Sequence, residues 1–163
     1  QYSFKLSKIK KITSNQIKLL KKFISIEKKE FNYFDKIGWS EKNIYNYIQK
    51  KNNASIAYYE DDELTGFLLG EFIKEEEYFN LEVYIIYVSQ GKRREKIGTK
   101  LLNHFIFNKK TLNISKIYLE VSAENISAIK FYERNNFVFL NFRHNYYKYN
   151  NKLVNAMCYM KKI

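Results

Sequence analysis

The sequence predicts one α/β domain over residues 1–163, with a mixed sheet of about seven strands flanked by about four helices. Three observations lead there. A chain of 163 residues is long enough for one sizeable core and too short for two. With 45% hydrophobic residues, no proline and five glycines, the composition is globular, and no internal repeat or Gly/Ser linker divides it. Strand-like runs gather ahead of residue 88, and after it strands and amphipathic helices alternate as βαβ units do.

The elements follow in order. Tyr2 to Ile12 alternates loosely through Phe4 and Leu6 and reads as an opening strand. Thr13 or Ser14 supplies the N-cap of a helix with Ile17, Leu20, Phe23 and Ile24 on its apolar face, ending near Glu30. Phe31 to Trp39 reads as an aromatic loop, and Ser40 caps a second helix holding Ile44, Tyr47 and Ile48. Ala54–Tyr59 and Leu64–Ile73 flank Asp61-Asp62-Glu63 as a hairpin with an acidic turn. Tyr78–Val88 is a long strand of β-branched and aromatic residues. A basic loop, Ser89–Lys96, enters a helix with Ile97, Leu101, Leu102, Phe105 and Ile106 on one face. A strand at Lys116–Val121, a helix at Asn125–Asn135, and strands at Phe137–Phe142 and Asn155–Lys161 complete the chain.

The net charge of +12 invites a nucleic-acid partner. Composition and distribution argue against one. Lys, Asn, Ile, Tyr and Phe, all with AT-rich codons, make up 90 of the 163 residues. Residues 61–82 carry −7, between flanks of +8 and +11, which is not a uniform basic stripe. No nucleic acid is therefore expected. No apolar run approaches the ~20 residues of a membrane span, so no membrane partner is expected either. The chain opens at Gln1 without Met, which predicts an upstream segment, and the cytoplasm is the expected location. Cys158 is the single cysteine, which excludes an internal disulfide and a cysteine-built zinc site and suits the core of the closing strand. His104 and His144 lack metal-ligand spacing, so no metal is expected.

Two stretches carry chemistry. Arg93-Arg94-Glu95-Lys96-Ile97-Gly98-Thr99 joins a strong strand to a strong helix, where free backbone N–H groups and the positive helix end attract an anion. By charge alone the same loop would serve as a solvated basic turn. In the second stretch, Leu119 to Phe137, the strand residues Ile117, Leu119 and Val121 share one face and leave Tyr118 and Glu120 on the other. Glu120 is thus a carboxylate near the C-terminal end of an interior strand, the end that borders the crevice of open α/β sheets. Asn125 caps the next helix, where Ala128, Ile129 and Tyr132 follow helical spacing. Taken alone, Glu120 also reads as a surface ion-pair partner and Tyr132 as a core aromatic.

Both stretches resemble the GNAT superfamily of N-acetyltransferases. Its acetyl-CoA signature is Arg/Gln-x-x-Gly-x-Gly/Ala. Arg93 takes the first position and Gly98 the last, and Lys96 replaces the first glycine, its N–H remaining a donor while its backbone keeps a negative φ. The segment LEVSAENISAIKFYERNNF resembles protein N-terminal acetyltransferases, above all the RimI type that acetylates a ribosomal-protein alanine. Glu120, Asn125, Ala128, Ile129 and Tyr132 fall at the family's positions, and Asn136 stands where the family has a glycine, asparagine being tolerant of positive φ. Asn145-Tyr146-Tyr147 is similar to the segment after the sixth strand in enzymes accepting a peptide N-terminus, and Trp39-Ser40-Glu41-Lys42 to the family's loop into its second helix. Asn155-Ala156 followed by Met160 fits the last strand, and the resemblance spans roughly residues 35–163.

The resemblance implies a mostly antiparallel sheet and an acetyl-CoA-dependent N-acetyltransferase without a metal, acting by direct transfer in a ternary complex. The acceptor it implies is the N-terminal α-amine of a protein or peptide, a ribosomal protein among the candidates. It gives Glu120 as general base and Tyr132 as proton donor to the leaving sulfur. The backbone of Ile86, Tyr87 and Val88 would pair with pantetheine and polarise the thioester carbonyl. Arg93, Arg94, Glu95, Lys96, Ile97, Gly98 and Thr99 would hold the pyrophosphate, and Asn125 the cofactor arm. Phe34, Trp39, Tyr146 and Tyr147 would line the peptide entrance. A peptide α-amine has a pKa of about 7.7–8.0 against about 10.4 for lysine, so one carboxylate suffices to deprotonate it near neutrality. Two other readings stay open: the same fold acting on a small-molecule amine or a lysine side chain, and a basic binding module with weak catalysis, which Lys96 favours.

Overall fold

A computed structural model describes residues 6–163. The chain runs through β1 (Ser7–Lys11), a short 3-10 turn, α1 (Ile17–Ile26), α2 (Lys28–Lys36), α3 (Glu41–Ile48), β2 (Ile56–Glu60), β3 (Glu63–Lys74) and β4 (Phe79–Val88). It continues through α4 (Ile97–Phe107), α5 (Lys109–Leu112), β5 (Ile114–Ser122), α6 (Ile126–Arg134), β6 (Val138–Tyr149) and β7 (Lys152–Lys162). The seven strands form one sheet in the order β1-β2-β3-β4-β5-β7-β6, antiparallel throughout except between β4 and β5.

Helices cover both faces. Leu20, Phe23 and Ile24 of α1, Phe31 of α2, and Ile44 and Ile48 of α3 bury against Tyr59, Phe67, Leu69, Ile85 and Tyr87. On the other face Leu101, Leu102 and Phe105 of α4 and Tyr132 of α6 bury against Leu68, Leu81, Val83, Leu119 and Val121. The apolar spacing read from the sequence therefore decides which side of each helix meets the sheet.

Several boundaries differ from expectation. The opening strand is described from Ser7, and the part of it holding Tyr2 and Phe4 lies outside the described residues. The aromatic stretch expected as a loop is α2: Phe31 stacks on Phe67 at 5.9 Å, and tertiary packing overrides its weak helix propensity. α5 is a single turn ended by Asn113 at φ 53°, which brings the α-helices among the described residues to six. β6 runs on past Phe142 to Tyr149 and meets β7 through Asn150 and Asn151, at φ 47° and 59°, the positive-φ pair a two-residue hairpin turn requires. The acidic hairpin turn has the same form, with Asp61 and Asp62 at φ 48° and 66°.

The feature that positions the site is a split in the sheet. β4 pairs with β5 only as far as Val83↔Leu119, although β4 continues to Val88 and β5 to Ser122. Against β3, Leu69 pairs with Ile85 and Gly70 with Val83, which leaves Tyr84 as an extra residue on β4. Such a bulge bends and twists its strand, here at the point where β4 leaves β5. It also switches sides: Val83 packs toward α4, and Ile85 toward α1. No described helix is long and apolar enough to cross a membrane.

Candidate active site

Beyond Val83 the edge of β4 that faces β5 has no strand partner among the described residues, while its other edge stays paired to β3 through Gly66↔Val88. Ile86 and Val88 pack toward α4. Tyr87 is buried on the opposite face and donates its hydroxyl to Glu27 at 2.7 Å, so it offers the gap only its backbone. Unpaired backbone groups at such an edge are ready to pair with an extended chain bearing amides.

The loop after β4 ends at the N-terminus of α4, whose first intrahelical bond runs from Lys100 N–H to the Lys96 carbonyl. The amides of Ile97, Gly98 and Thr99 thus have no acceptor within the helix. Lys96 stands at φ 59°, in the left-handed region, contrary to the negative φ expected of it. A non-glycine residue there carries about 1–2 kcal/mol of strain, which is the physical reason a glycine suits the position. Gly98 answers a different demand. A Cβ on it would lie 2.9 Å from Phe131 Cζ, so its lack of a side chain lets α4 sit against α6.

The side chains of this loop are not all where the charge pattern puts them. Arg93 pairs with Glu30 of α2 and lies over the Tyr87 ring, 5.6 Å from its centroid. Lys92 pairs with Glu60 at 2.6 Å, with Glu95 at 3.8 Å. Arg94 and Lys96, both exposed and without an ion pair among the described residues, immediately precede the α4 amides in the chain. Free helix-terminal amides preceded by two cations are a donor set that suits a diphosphate.

The opposite face of the split is built from side chains. A cavity of about 660 Å³ is lined by Trp39, Tyr47, Glu82, Tyr84, Glu120, Arg143, Tyr146 and Tyr147, among others. Glu120 Oε1 forms an ion pair with Arg143 Nε at 2.8 Å, and the Glu120 side chain retains 20% exposure. Burial, and behind it the Glu120 charge, raises the Tyr147 phenol well above its ordinary range, and the same two causes raise Tyr146. Trp39 packs 5.0 Å from both the Tyr47 and Tyr84 rings. A second cavity of about 380 Å³ shares Ile37 and Tyr147 with the first and adds Tyr33, Ser122, Glu124, Asn125 and Tyr149. Tyr132 lies on the α4 side at 8% exposure, where burial pushes its phenol far up and keeps it neutral.

The structure brings Glu120, Trp39, Tyr146 and Tyr147 together in the larger cavity. Asn125 reaches only the smaller one, and its side chain caps α6 by accepting from Ala128 N–H at 3.1 Å. Phe34 is not brought to either: it packs among Phe31, Tyr33 and Tyr87, because α2 is a helix and turns that ring inward. Asn136 adopts φ 62°, as the substitution for glycine predicts. Sequence reasoning missed Glu82, Arg143, Tyr84 and Tyr47. Glu82 had a signal, being the one charged residue in the apolar strand Phe79–Val88. No described group of three or more His, Cys, Asp or Glu residues is placed to hold a metal.

Comparison with known proteins agrees with this architecture. The model of the acetyltransferase (GNAT) family matches residues 20–137. The chain is 29% identical over 109 residues to the [ribosomal protein bS18]-alanine N-acetyltransferase of Salmonella typhimurium, covering 67% of this chain and 70% of that protein. It is 44% identical over 57 residues to N-alpha-acetyltransferase 50 of Danio rerio, 34% of each chain. The crystal structure of NAA60 of Arabidopsis thaliana in complex with acetyl-CoA shares the fold with a TM-score of 0.77 at 17% identity, covering 97% of this chain and 99% of that one.

Proposed function

The chain belongs to the acetyltransferase (GNAT) family, and from that premise we infer that it transfers the acetyl group of acetyl-CoA directly to the N-terminal α-amine of a protein or peptide. The observation that carries this reading is the split between β4 and β5, with free backbone on the α4 side and a carboxylate-and-tyrosine cavity on the other. Two ligands can approach one point from opposite faces without crossing. The two tyrosine-lined cavities share Ile37 and Tyr147 in their walls, neighbouring space suited to an extended peptide rather than to a compact amine.

The donor set described above would hold acetyl-CoA: the α4 amides with Arg94 and Lys96 at the diphosphate, and the Ile86–Val88 backbone along the arm. Acetyl-CoA, when bound, supplies an activated thioester. Glu120 stands one residue past the last β4–β5 pair and meets the incoming ammonium group. Tyr132, neutral and buried, is suited to giving its proton to the leaving sulfur. The relative from Salmonella acts on an alanine of a ribosomal protein, which makes an Ala-first peptide the natural first substrate. Such a substrate goes with a cytoplasmic site of action.

An acetylation assay tests the reading, with peptides beginning Ala, Ser or Met and a fourth whose N-terminus is blocked and which carries an internal lysine. The first three are expected to gain one acetyl group and the fourth none. Reaction of the lysine peptide alone would overturn it.

A further inference from the structure

Arg143 reaches Glu120 across an intervening strand. β7 lies between β5 and β6, with Cys158 opposite Glu120 and Ala156 opposite Arg143. Both are small, so the arginine stem can cross β7 and bring Nε to 2.8 Å from Glu120 Oε1. β6 is shaped for this. Between the pairs Arg143↔Ala156 and Tyr147↔Val154 it inserts His144, Asn145 and Tyr146 opposite Asn155 alone, whose side chain accepts from Asn145 N–H at 2.9 Å. A bulge of this kind re-aims the side chains beside it. Here Arg143 and Tyr146 both line the larger cavity, with the guanidinium carbon 5.3 Å from the Tyr146 ring centroid.

This placement works against a site for an ammonium group. Glu120 meets the α-ammonium in the reading above, and a guanidinium already beside that carboxylate repels a second cation. The repulsion is offset when the substrate brings an anion of its own. A guanidinium carries several N–H donors in a planar fork, and Arg143 keeps 53% of its side chain exposed after pairing with Glu120. Donors therefore remain for a second carboxylate. We propose that Arg143 selects peptides whose second residue is Asp or Glu, its guanidinium pairing with that side chain while Glu120 pairs with the α-ammonium group. This rests on the N-terminal reading. With alanine first, the nearest side chain longer than a methyl group is that of the second residue, whose Cα lies about 3.8 Å from the first. The charges then alternate in sign: ammonium, Glu120, Arg143, substrate carboxylate.

The surroundings add little charge that would oppose such a substrate. Burial, more than any neighbour, raises the Tyr146 phenol and the Cys158 thiol, so both stay neutral beside Arg143. Burial first, and then the Glu120 charge, push the Glu82 carboxyl up to about 7, against a pull downward from Arg143 and a small push from Glu71. Its negative charge is therefore only partly present near neutrality. In the wall of the smaller cavity Glu124 is paired with Lys152, and Lys36 of α2 lies 5.2 Å from the centroid of the Tyr149 ring. The net charge of +12 draws acidic chains toward the molecule as a whole.

Steady-state kinetics with peptides that differ only at the second residue, Ala-Glu, Ala-Gln and Ala-Lys, test this. The wild-type chain is expected to favour Ala-Glu over Ala-Gln by about tenfold in kcat/KM, the size of one charge-assisted contact, with Ala-Lys poorer still. The difference should lie in KM rather than kcat, and shrink in about 0.5 M salt. Arg143→Gln should bring Ala-Glu and Ala-Gln within about 2-fold of each other, and Arg143→Glu should favour Ala-Lys. A purely structural arginine would lower all the peptides together, so the ratio between them is the readout. Arg143→Lys keeps the charge beside Glu120 and serves where the neutral variant does not fold; it should narrow the gap without changing the order. Equal kcat/KM for the peptides with the wild-type chain, or a preference for Ala-Glu that persists in full in these variants, overturns the proposal and leaves the N-terminal reading standing. If none of the peptides reacts, that reading fails and the proposal with it.

Discussion

The two faces of the sheet meet at one gap and prepare for it by different means. On the α4 face the contribution is backbone: an unpaired strand edge, a helix N-terminus with free amides, and a glycine that lets α4 approach α6. On the α1–α3 face it is side chains: two glutamates, an arginine and a belt of tyrosines around a cavity. A ligand held by backbone is recognised through chain conformation, and one held by side chains through charge and shape. Changes on the first face should therefore act by altering geometry, and changes on the second by altering chemistry.

Tyr132 tests that division most severely, because it is the one side chain of the α4 face with a chemical role. Tyr132→Phe is expected to lower kcat by about 10²-fold with acetyl-CoA affinity nearly unchanged, measured by steady-state kinetics beside calorimetric titration. A Phe variant at the wild-type rate would leave the α4 face without a side chain that takes part in the chemical step. The next effect is geometric. In Gly98→Val the new Cβ meets the Phe131 ring, and forcing the helices apart should cost about 1–3 kcal/mol in denaturant unfolding and weaken acetyl-CoA binding in parallel. Phe131→Leu in the same chain should restore part of both. Loss of binding without loss of stability would show that Gly98 is there for the ligand rather than for the helix contact.

The same division explains what the sequence reveals. The α4 face was legible because backbone requirements leave local marks: a strand, a basic turn and a helix in succession, with Gly98 at fixed spacing. Alternation placed Glu120 on the face opposite Leu119 without any tertiary information, and Asn136 announced its positive φ. The α1–α3 face was half legible. Its members come from the loop after α2 and from α3, β3, β4, β5 and β6, and only folding brings them together, so Arg143 and Tyr84 carried no local sign. Phe34 failed for a related reason: a helix turns that ring into the packing, where a loop would have turned it out. Glu82 was visible as one charge in an apolar strand, but its proximity to Glu120 depends on where β4 and β5 part.

A smaller change sharpens the backbone side. Lys96→Gly removes a side chain from a residue held at φ 59°, and glycine occupies that region without the Cβ penalty. Stability should rise by about 1 kcal/mol, read as a shift in the denaturant midpoint. Because the strain is relieved without moving the α4 amides, acetyl-CoA should bind no more weakly in 0.5 M salt, where the lost lysine charge is screened. A destabilised glycine variant would mean that the Lys96 side chain supports the loop.

The smallest expected effect bears on the basic loop, where charge and backbone give opposite forecasts. If the loop bound its anion by summed charge, Arg93 and Arg94 would matter alike. Arg93, however, is tied to Glu30 across to α2 and lies over Tyr87, whereas Arg94 has no ion pair among the described residues and precedes the α4 amides. Arg93→Gln should change the acetyl-CoA dissociation constant by less than about 2-fold and stability by less than about 1 kcal/mol, the range of a partly exposed ion pair. Arg94→Gln should weaken binding by about tenfold at low salt, the size of one charge-assisted phosphate contact, and the deficit should shrink as salt rises. Equal losses for the two variants would mean that Arg93 leaves Glu30 when the ligand arrives. Glu30→Gln would then tighten binding by freeing the guanidinium, whereas with the pair intact it should leave affinity where it was.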